Sequence, residues 1–475
     1  MWVVLGLLIV LILVVLIRTL LFFPIKKDVS QPEEITFDKK NAIENLKELV
    51  RCKTVSYYDS SLEDDEEFEK LISLLPELYP CVAATCEFKR LPDRALLYRW
   101  RGKSSEKASV MMAHYDVVPV NEDLWDKPPF DAIEESGVIW GRGTLDTKVT
   151  LNAILSAADH LIEQGFVPNE DIYFAFSGGE EINGKGAVNI VDYFEENNIN
   201  ISLVVDEGGG VVENVFPGVN KPCGLIGIAE KGLMNVRYTA KSGGGHASAP
   251  KPNTPIEKLA RAVSNISHYP TKAYLTAPVA EMFDTLGRNS NFLYRMIFAN
   301  LWLFYPVLDS ICKKNGGELN ALMRTTVAFT MTTGSTAPNV IPPEASVTSN
   351  IRINPYDTID SVLEHLRKTV DDSTVEITLL EGTNPSRISQ TECAEWEKIA
   401  SAVAETWQGC LVSPYLMVQC SDSRHYGRIS DKVYRFSAMD LTSEERATIH
   451  GNNERIRIDA LCRAVEFYIR LLKNC

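Results

Sequence analysis

From residue 109 onward the chain alternates short apolar runs with stretches of helical spacing, and histidines and acids recur where the apolar runs end. Residues 109–113 read as a buried strand leading into His114, 138–140 as another, 150–164 as a helix, 172–177 as a strand and 203–205 as one more. Upstream, 41–50 has helical spacing and the acidic segment 63–69 continues as a surface helix. Strands joined by helical crossovers predict an α/β sheet, and such sheets bind ligands beyond the carboxyl ends of their strands.

The pattern changes at Lys231. Residues 233–240 read as a strand, 255–267 as a helix, 325–333 and 345–353 as strands, 359–368 as a helix and 375–380 as a last strand. That β-α-β-β-α-β order is the ferredoxin-like arrangement. It is interrupted by an aromatic-rich stretch, 269–323, whose purpose cannot be read from the residues. The α/β pattern resumes at 393–407 and ends in a helix over 458–472. The expected organisation is a catalytic α/β domain in two parts, 39–230 and 383–475, with a small unit, 231–382, inserted between them.

The first segment differs in kind. Residues 2–17 are uninterrupted apolar sequence, extended past Arg18 and Thr19 by 20–23, which suits a membrane span of about 20 residues. A cleaved signal peptide competes with that reading, but a basic leader and a small-residue cleavage site are both missing. The expectation is a single-pass anchor over 2–23. Arg18, Lys26 and Lys27 lie on its C-terminal side and lean the body towards the cytoplasm. At 475 residues with a net charge of −15 the chain exceeds one ordinary domain and lacks the basic stripe that a nucleic-acid partner requires. Its ten scattered cysteines form no CxxC pair and read as reduced thiols.

The candidate chemistry lies in dispersed acids and imidazoles. On a strand, residues two apart face the same way, so His114 and Asp116 are expected to project together. A carboxylate beside a ligating imidazole fixes its tautomer and raises its basicity. Alone, such a pair is most often a surface feature. Asp146 follows the Gly141-Arg142-Gly143 turn, where glycine allows close backbone approach, and its two oxygens could bridge two cations. Glu180 and Glu181 are like charges that raise each other's pKa in one cleft; a metal would resolve the conflict, one glutamate ligating and the other taking a proton from water. The strand and the Gly178-Gly179 turn before them argue against a solvated face. Asp206 and His450 complete ligands for two metal ions with one carboxylate to spare.

His114-Tyr115-Asp116, the run Gly141 to Asp146, Ser177-Gly178-Gly179-Glu180-Glu181, Asp206-Glu207-Gly208, Gly245-His246-Ala247-Ser248-Ala249-Pro250 and Ile449-His450-Gly451 follow one another in that order. The ordered set resembles the motifs of the di-zinc metallopeptidase family that contains aminoacylase, carboxypeptidase S, the bacterial-type glutamate carboxypeptidase and succinyl-diaminopimelate desuccinylase. Ala229-Glu230-Lys231-Gly232 and Ser421-Asp422-Ser423-Arg424 are similar to carboxypeptidase S and the N-fatty-acyl amino acid hydrolases.

The resemblance implies that Asp146 bridges two zinc ions, or cobalt or manganese in their place. His114 and Asp206 would complete one site, and Glu181 and His450 the other. Glu180 would be the general base and Asp116 the orienter of His114. It further implies that His246, from an inserted lid or dimerisation domain and often from a partner subunit, stabilises the oxyanion, and that Asn339 and Arg352 hold the substrate; an arginine suits a carboxylate bidentately. A homodimer through the inserted domain follows as an expectation. Two departures stand out: Thr147, Lys148 and Val149 follow Asp146 where the family often has an acid and then Lys-Gly, and 418–421 lacks the usual glycines. His160, His268, His365 and His425 are expected to be structural.

The activity implied is hydrolysis of an amide that frees an amino acid, as a carboxypeptidase or dipeptidase on short peptides, with N-fatty-acyl amino acids as the alternative substrate. A non-catalytic metal-binding scaffold would have no need of Glu180. A two-metal phosphodiesterase would need the basic surface that the charge excludes.

Overall fold

The structure, a computed structural model, describes residues 2–25, 32–215 and 218–475; Lys26 and Lys27, which bear on membrane orientation, lie outside them. Its larger sheet runs in the order Glu87–Leu91, Ala95–Trp100, Glu170–Ser177, Ser104–His114, Ile201–Asp206, Val433–Arg435, Cys223–Glu230, Leu411–Met417, with Gly210–Val212 beside Cys223–Glu230. The four strands Glu170–Ser177, Ser104–His114, Ile201–Asp206 and Val433–Arg435 are mutually parallel.

Their apolar side chains alternate between two cores. Met111, Ala113, Phe174, Phe176, Leu203 and Val205 face helices Lys148–Glu163, Ala394–Thr406 and Ile458–Lys473. Val110, Met112, Tyr173, Ala175 and Val204 face helix Gly186–Glu196 on the opposite side. Coverage on both faces is why these strands read as unbroken apolar runs rather than alternating ones. Register then aligns their ends: His114 stands opposite Ser177, and Asp206 opposite Arg435. The residues that follow emerge on one edge.

A second, wholly antiparallel sheet runs Thr326–Thr333, Glu344–Ile353, Gly232–Lys241, Val375–Thr383. Helices Pro255–His268 and Ile359–Val370 cover one face around Met234, Val236, Leu259, Ile351 and Leu366. The stretch that resisted sequence reading folds into helices Ala277–Arg288, Phe292–Ala299, Leu301–Asn315 and Gly317–Met323. These pack on the outermost strand of the large sheet, where Val279, Met282, Phe283 and Leu286 meet Tyr415, Leu416 and Met417. Residues Trp2–Leu21 form one helix of mean hydropathy 3.1 in its most apolar window, long and apolar enough to cross a membrane.

Candidate metal centre

Each candidate side chain is delivered by a short, braced segment. His114 ends its strand, and Thr147 fastens it from the neighbouring turn: the Thr147 hydroxyl donates to His114 O (3.0 Å), and His114 N donates to Thr147 Oγ1 (3.1 Å). Asp146 sits on a loop shaped by Glu454, a residue that the motif reading passed over. One oxygen of the fully buried Glu454 carboxylate accepts from the backbone of Leu145 (2.7 Å) and Gly143 (3.1 Å), and the other from Arg142 Nη1 (2.7 Å). Gly143 adopts φ +89°, the left-handed region that favours glycine. Glu180 and Glu181 lie in the turn after Ser177, and the backbone N–H groups of both donate to the Asp116 carboxylate, at 3.1 and 3.2 Å. At Gly178 a Cβ would stand 2.6 Å from the Tyr115 ring, so a side chain there would displace the turn.

These braces bring His114, Asp146, Glu181 and His450 together. The two oxygens of Asp146 face different imidazoles: Oδ1 lies 3.0 Å from His114 Nε2, and Oδ2 lies 3.0 Å from His450 Nε2. His450 Nε2 is also 3.1 Å from Glu181 Oε2, while Glu181 Oε1 is buried without a hydrogen-bond partner among the described residues. His114, Glu180 and Glu207 form a second group able to share a cation. A carboxylate aimed two ways and an orphaned buried oxygen both fit a pair of cations; four carboxylates and two imidazoles are the hard and borderline donors such ions take.

Asp116 lies beside His114, but strand alternation is not what puts it there. The strand ends at His114, so the alternation of strand side chains does not set the Asp116 direction. His114 Nδ1 makes its shorter contact with the Asp116 carbonyl (3.0 Å), the carboxylate standing at 3.4 Å. The carboxylate also accepts from Ser56 Oγ (2.8 Å) and the Glu180 and Glu181 amides.

The electrostatics report an excess of negative charge. Burial, followed by repulsion from Asp422, Glu181 and Asp116, raises Glu180 well above the usual carboxylate range, with His114 opposing. Burial also raises Glu181 and Glu207. His450 is pushed up to about 10 by its hydrogen bonds to Asp146 and Glu181. Burial works to lower His114, but Glu207, Asp116 and Asp146 together lift it well above an ordinary imidazole. Both imidazoles therefore act as sinks for positive charge, the demand that a bound cation meets.

Over residues 110–474 the sequence matches Peptidase family M20/M25/M40. The chain belongs to this family. It is a metal-dependent peptidase or amidohydrolase. The probable carboxypeptidase S-like 2 of Dictyostelium discoideum is 33% identical over 461 residues, covering 94% of this chain and 88% of its own. The N-fatty-acyl-amino acid synthase/hydrolase PM20D1 of Xenopus tropicalis is 32% identical over 478 residues, covering 98% and 93%. Among solved structures, the M20 family metallo-carboxypeptidase Sso-CP2 of Sulfolobus solfataricus matches the fold with a TM-score of 0.65 at 20% identity, over 91% of this chain and 98% of its own.

The remaining candidates of this M20 peptidase fall into two groups. Arg352 reaches the rim: its Nη1 lies 3.3 Å from Cys420 Sγ, at the head of the loop whose Ser423 N–H donates to Asp206 Oδ2 (2.9 Å). Asp206 is thus turned to that loop, and its neighbour Glu207 is the one that stands 3.6 Å from His114 Nε2. Asp422, in the same loop, accepts from Ser177 Oγ (2.5 Å), and burial pushes it up to about 6. His246 and Asn339 are brought to each other. Both are exposed; His246 pairs with Val340, and Ala247 N donates to Asn339 O (3.0 Å). His246 Nδ1 accepts from Ser248 N (3.1 Å) and has no hydrogen bond to the cluster among the described residues.

Proposed function

We propose that this M20 chain is a membrane-anchored di-zinc hydrolase that cleaves an amide bond and frees an amino acid, with N-fatty-acyl amino acids as its favoured substrates. The observation that carries the reading is Asp146, whose two oxygens serve two separate imidazoles while Glu180 stands beside them as an extra carboxylate. His114, Asp146, Glu181 and His450 would hold the two ions, cobalt or manganese being substitutes for zinc. Asp206 or the adjacent Glu207 would complete the His114 side. Bound ions of this kind polarise a carbonyl and make water a nucleophile near neutral pH.

Everything else falls to side chains of the chain itself. Glu180, held in line by its backbone hydrogen bond to Asp116, takes a proton from the attacking water and returns it to the leaving nitrogen. Arg352 binds the free carboxylate of the amino acid, as its place beside Cys420 allows.

Residues 231–382 are read as an inserted lid and dimerisation unit between 39–230 and 383–475. His246 and Asn339 lie together on its small two-stranded sheet, which suits delivery of both to a site as a pair, from the same chain on closure or from a partner subunit.

Two observations support acyl conjugates over peptides. A relative of similar identity over nearly the whole chain is named for N-fatty-acyl amino acids, and the helices over 277–323 expose apolar side chains such as Phe292, Leu293 and Trp302 while their inner side packs on strand Leu411–Met417, which leads into the Cys420–Ser423 loop. The peptide reading keeps its support in the carboxypeptidase S-like relative. The deciding experiment is amino-acid release by the zinc-loaded full chain from a matched panel of short peptides and N-fatty-acyl amino acids, with Glu180→Gln alongside. Release from acyl conjugates that is lost in the variant is expected; release confined to peptides would reassign the substrate, and unchanged turnover in Glu180→Gln would overturn the mechanism.

A further inference from the structure

The apolar N-terminal helix is docked into the body. Its Val15 and Thr19 seat against helix Phe292–Ala299 and the turn after it, and Phe22, just past its end, against Gly287 and Arg288 of helix Ala277–Arg288. Asn300, fully buried, donates through Nδ2 to Val15 O (3.2 Å) and Thr19 Oγ1 (3.3 Å), and Arg18 Nε donates to Ala299 O (3.0 Å). Arg288 stacks over the Phe22 ring at 4.4 Å and donates to Phe23 O (3.3 Å). Apart from half-buried Leu11, the rest of the helix is exposed.

Geometry then constrains the helices it touches. Six residues separate Val15 from Leu21, the helix's last residue, so the contact at Val15 lies about 9 Å inside that end. A helix of this length just matches the hydrocarbon thickness of a bilayer. If it spans, the partner helix sits at bilayer depth rather than above it. The side chains there agree. Phe292, Leu293, Trp302, Val307 and Ile311 are each 49–59% exposed. On helix Leu301–Asn315, Val307 and Ile311 share a face at i, i+4 spacing, Trp302 stands at the other edge of the same broad exposed side, and Lys313 and Lys314 close its last turn. Exposed aromatic and aliphatic side chains on a helix that ends in lysines are the composition of a segment lying in a membrane interface.

We propose that helices Phe292–Ala299 and Leu301–Asn315 are seated in the lipid bilayer alongside the N-terminal helix, so that the body rests on the membrane by this face rather than hanging from a tether. The proposal rests on the reading of the N-terminal helix as a retained span. The same helical layer packs on strand Leu411–Met417, which leads to the candidate site, so the fold joins the lipid surface to the site through one strand. An amphiphile lying in the bilayer with its amide end outward is the substrate class such a seat serves.

The test uses the full chain reconstituted into phosphatidylcholine vesicles, with and without bromine on the acyl chains. Flotation of the vesicles reads the span. Trp302 is read as the difference in emission between the wild type and Trp302→Phe, which removes the contributions of the other tryptophans, Trp2 in the span included. The expected result is flotation, with the Trp302 share quenched about two-fold or more by brominated chains and untouched by aqueous acrylamide. Flotation with Trp302 quenched only by acrylamide overturns the proposal and leaves the anchor standing. Trp302 shielded from both quenchers means that a second copy covers this face, which also overturns it. A chain that fails to float removes the span and the proposal together, while amino-acid release in detergent still tests the catalytic reading separately.

Discussion

Glu454→Gln isolates the charge that supports the Asp146 loop. One oxygen of Glu454 accepts from the backbone of Gly143, Leu145 and, at 3.3 Å, Asp146; the other faces Arg142. Glutamine keeps an oxygen for the backbone donors and turns its amide towards the guanidinium, a donor against a donor. Arg142 is then left buried with Gly451 O (2.8 Å) and the Trp125 ring (5.3 Å) as partners, neither of them anionic. Removing one member of a buried pair costs about 3–5 kcal/mol, and the shape is unchanged, so no cavity term is added. The assay is reversible urea unfolding of metal-free protein for wild type, Glu454→Gln, Arg142→Met and the double variant. The double variant should recover stability relative to Glu454→Gln, because it removes the stranded charge. With the loop loosened, metal affinity should fall roughly 10–100-fold, the usual loss when a ligand's support is removed. A Glu454→Gln protein within about 1 kcal/mol of wild type, or a double variant no better than the single, would refute the reasoning.

Asp116→Asn removes one acceptor from the pair of amides that orient Glu180 and Glu181; turnover should fall roughly 10–100-fold with secondary structure unchanged, read by amino-acid release and circular dichroism, and full activity would mean that the clamp is dispensable. Chelation should lower the unfolding temperature and zinc should restore it, each ion contributing about 4 kcal/mol at 1,000 times its dissociation constant; calorimetry with no shift would count against the cluster as a metal site. Lys231, whose Nζ donates to Arg324 O (2.8 Å) and Ala321 O (2.9 Å), is lowered to about 7 by burial and then by Arg352. Below that pH both folded and unfolded chains hold the proton and the folded state bears the burial cost. Between about 7 and 10.5 the unfolded chain binds more protons, so stability rises with pH by about 1.4 kcal/mol per unit. Lys231→Met should abolish this, leaving wild type about 2 kcal/mol further ahead at pH 9 than at pH 7.5 by denaturant unfolding; parallel profiles would show that Lys231 does not titrate in that window.

What could be read from sequence was periodic or local. The parallel strands announce themselves as unbroken apolar runs, and His114 and Glu181 fall at the end of one or in the turn after another, while Asp146 follows the short strand Val138–Trp140 of a separate antiparallel sheet, where glycines mark close approach. What could not be read depends on direction or distance. Asp206 and Glu207 are adjacent, and only the register of strand Ile201–Asp206 and the pull of Ser423 decide which one turns towards His114. Glu454 and Arg142 are 312 residues apart, with no local pattern to connect them. Helix Phe292–Ala299 reads Phe-Leu-Tyr-Arg-Met-Ile-Phe-Ala, apolar on nearly every face, because it is covered on one side by the core and touched on another by the N-terminal helix. A helix apolar all round loses the period that would reveal it.

The supports matter more than the candidate ligands to an argument about function. Glu180, Glu181, Glu207 and Asp146 crowd one cleft with two imidazoles, and burial raises three of those acids towards protonation. A fold optimised for stability would replace several of them, since like charges in low dielectric oppose folding. Here the opposite is built. Thr147 holds His114 at both backbone groups, Asp116 holds the amides of Glu180 and Glu181, and Glu454 holds three amides of the Asp146 loop. Each of these residues fixes an acidic or ligating group where it is least comfortable alone. Cations are the partner that turns such an arrangement from a cost into a stabilising one, and departures from stability of this kind concentrate at functional sites. The consequence is quantitative: relieving the crowding by Glu207→Gln should stabilise the metal-free chain while weakening metal binding, opposite signs in the same protein, and a variant that lost both would show that Glu207 serves the fold instead.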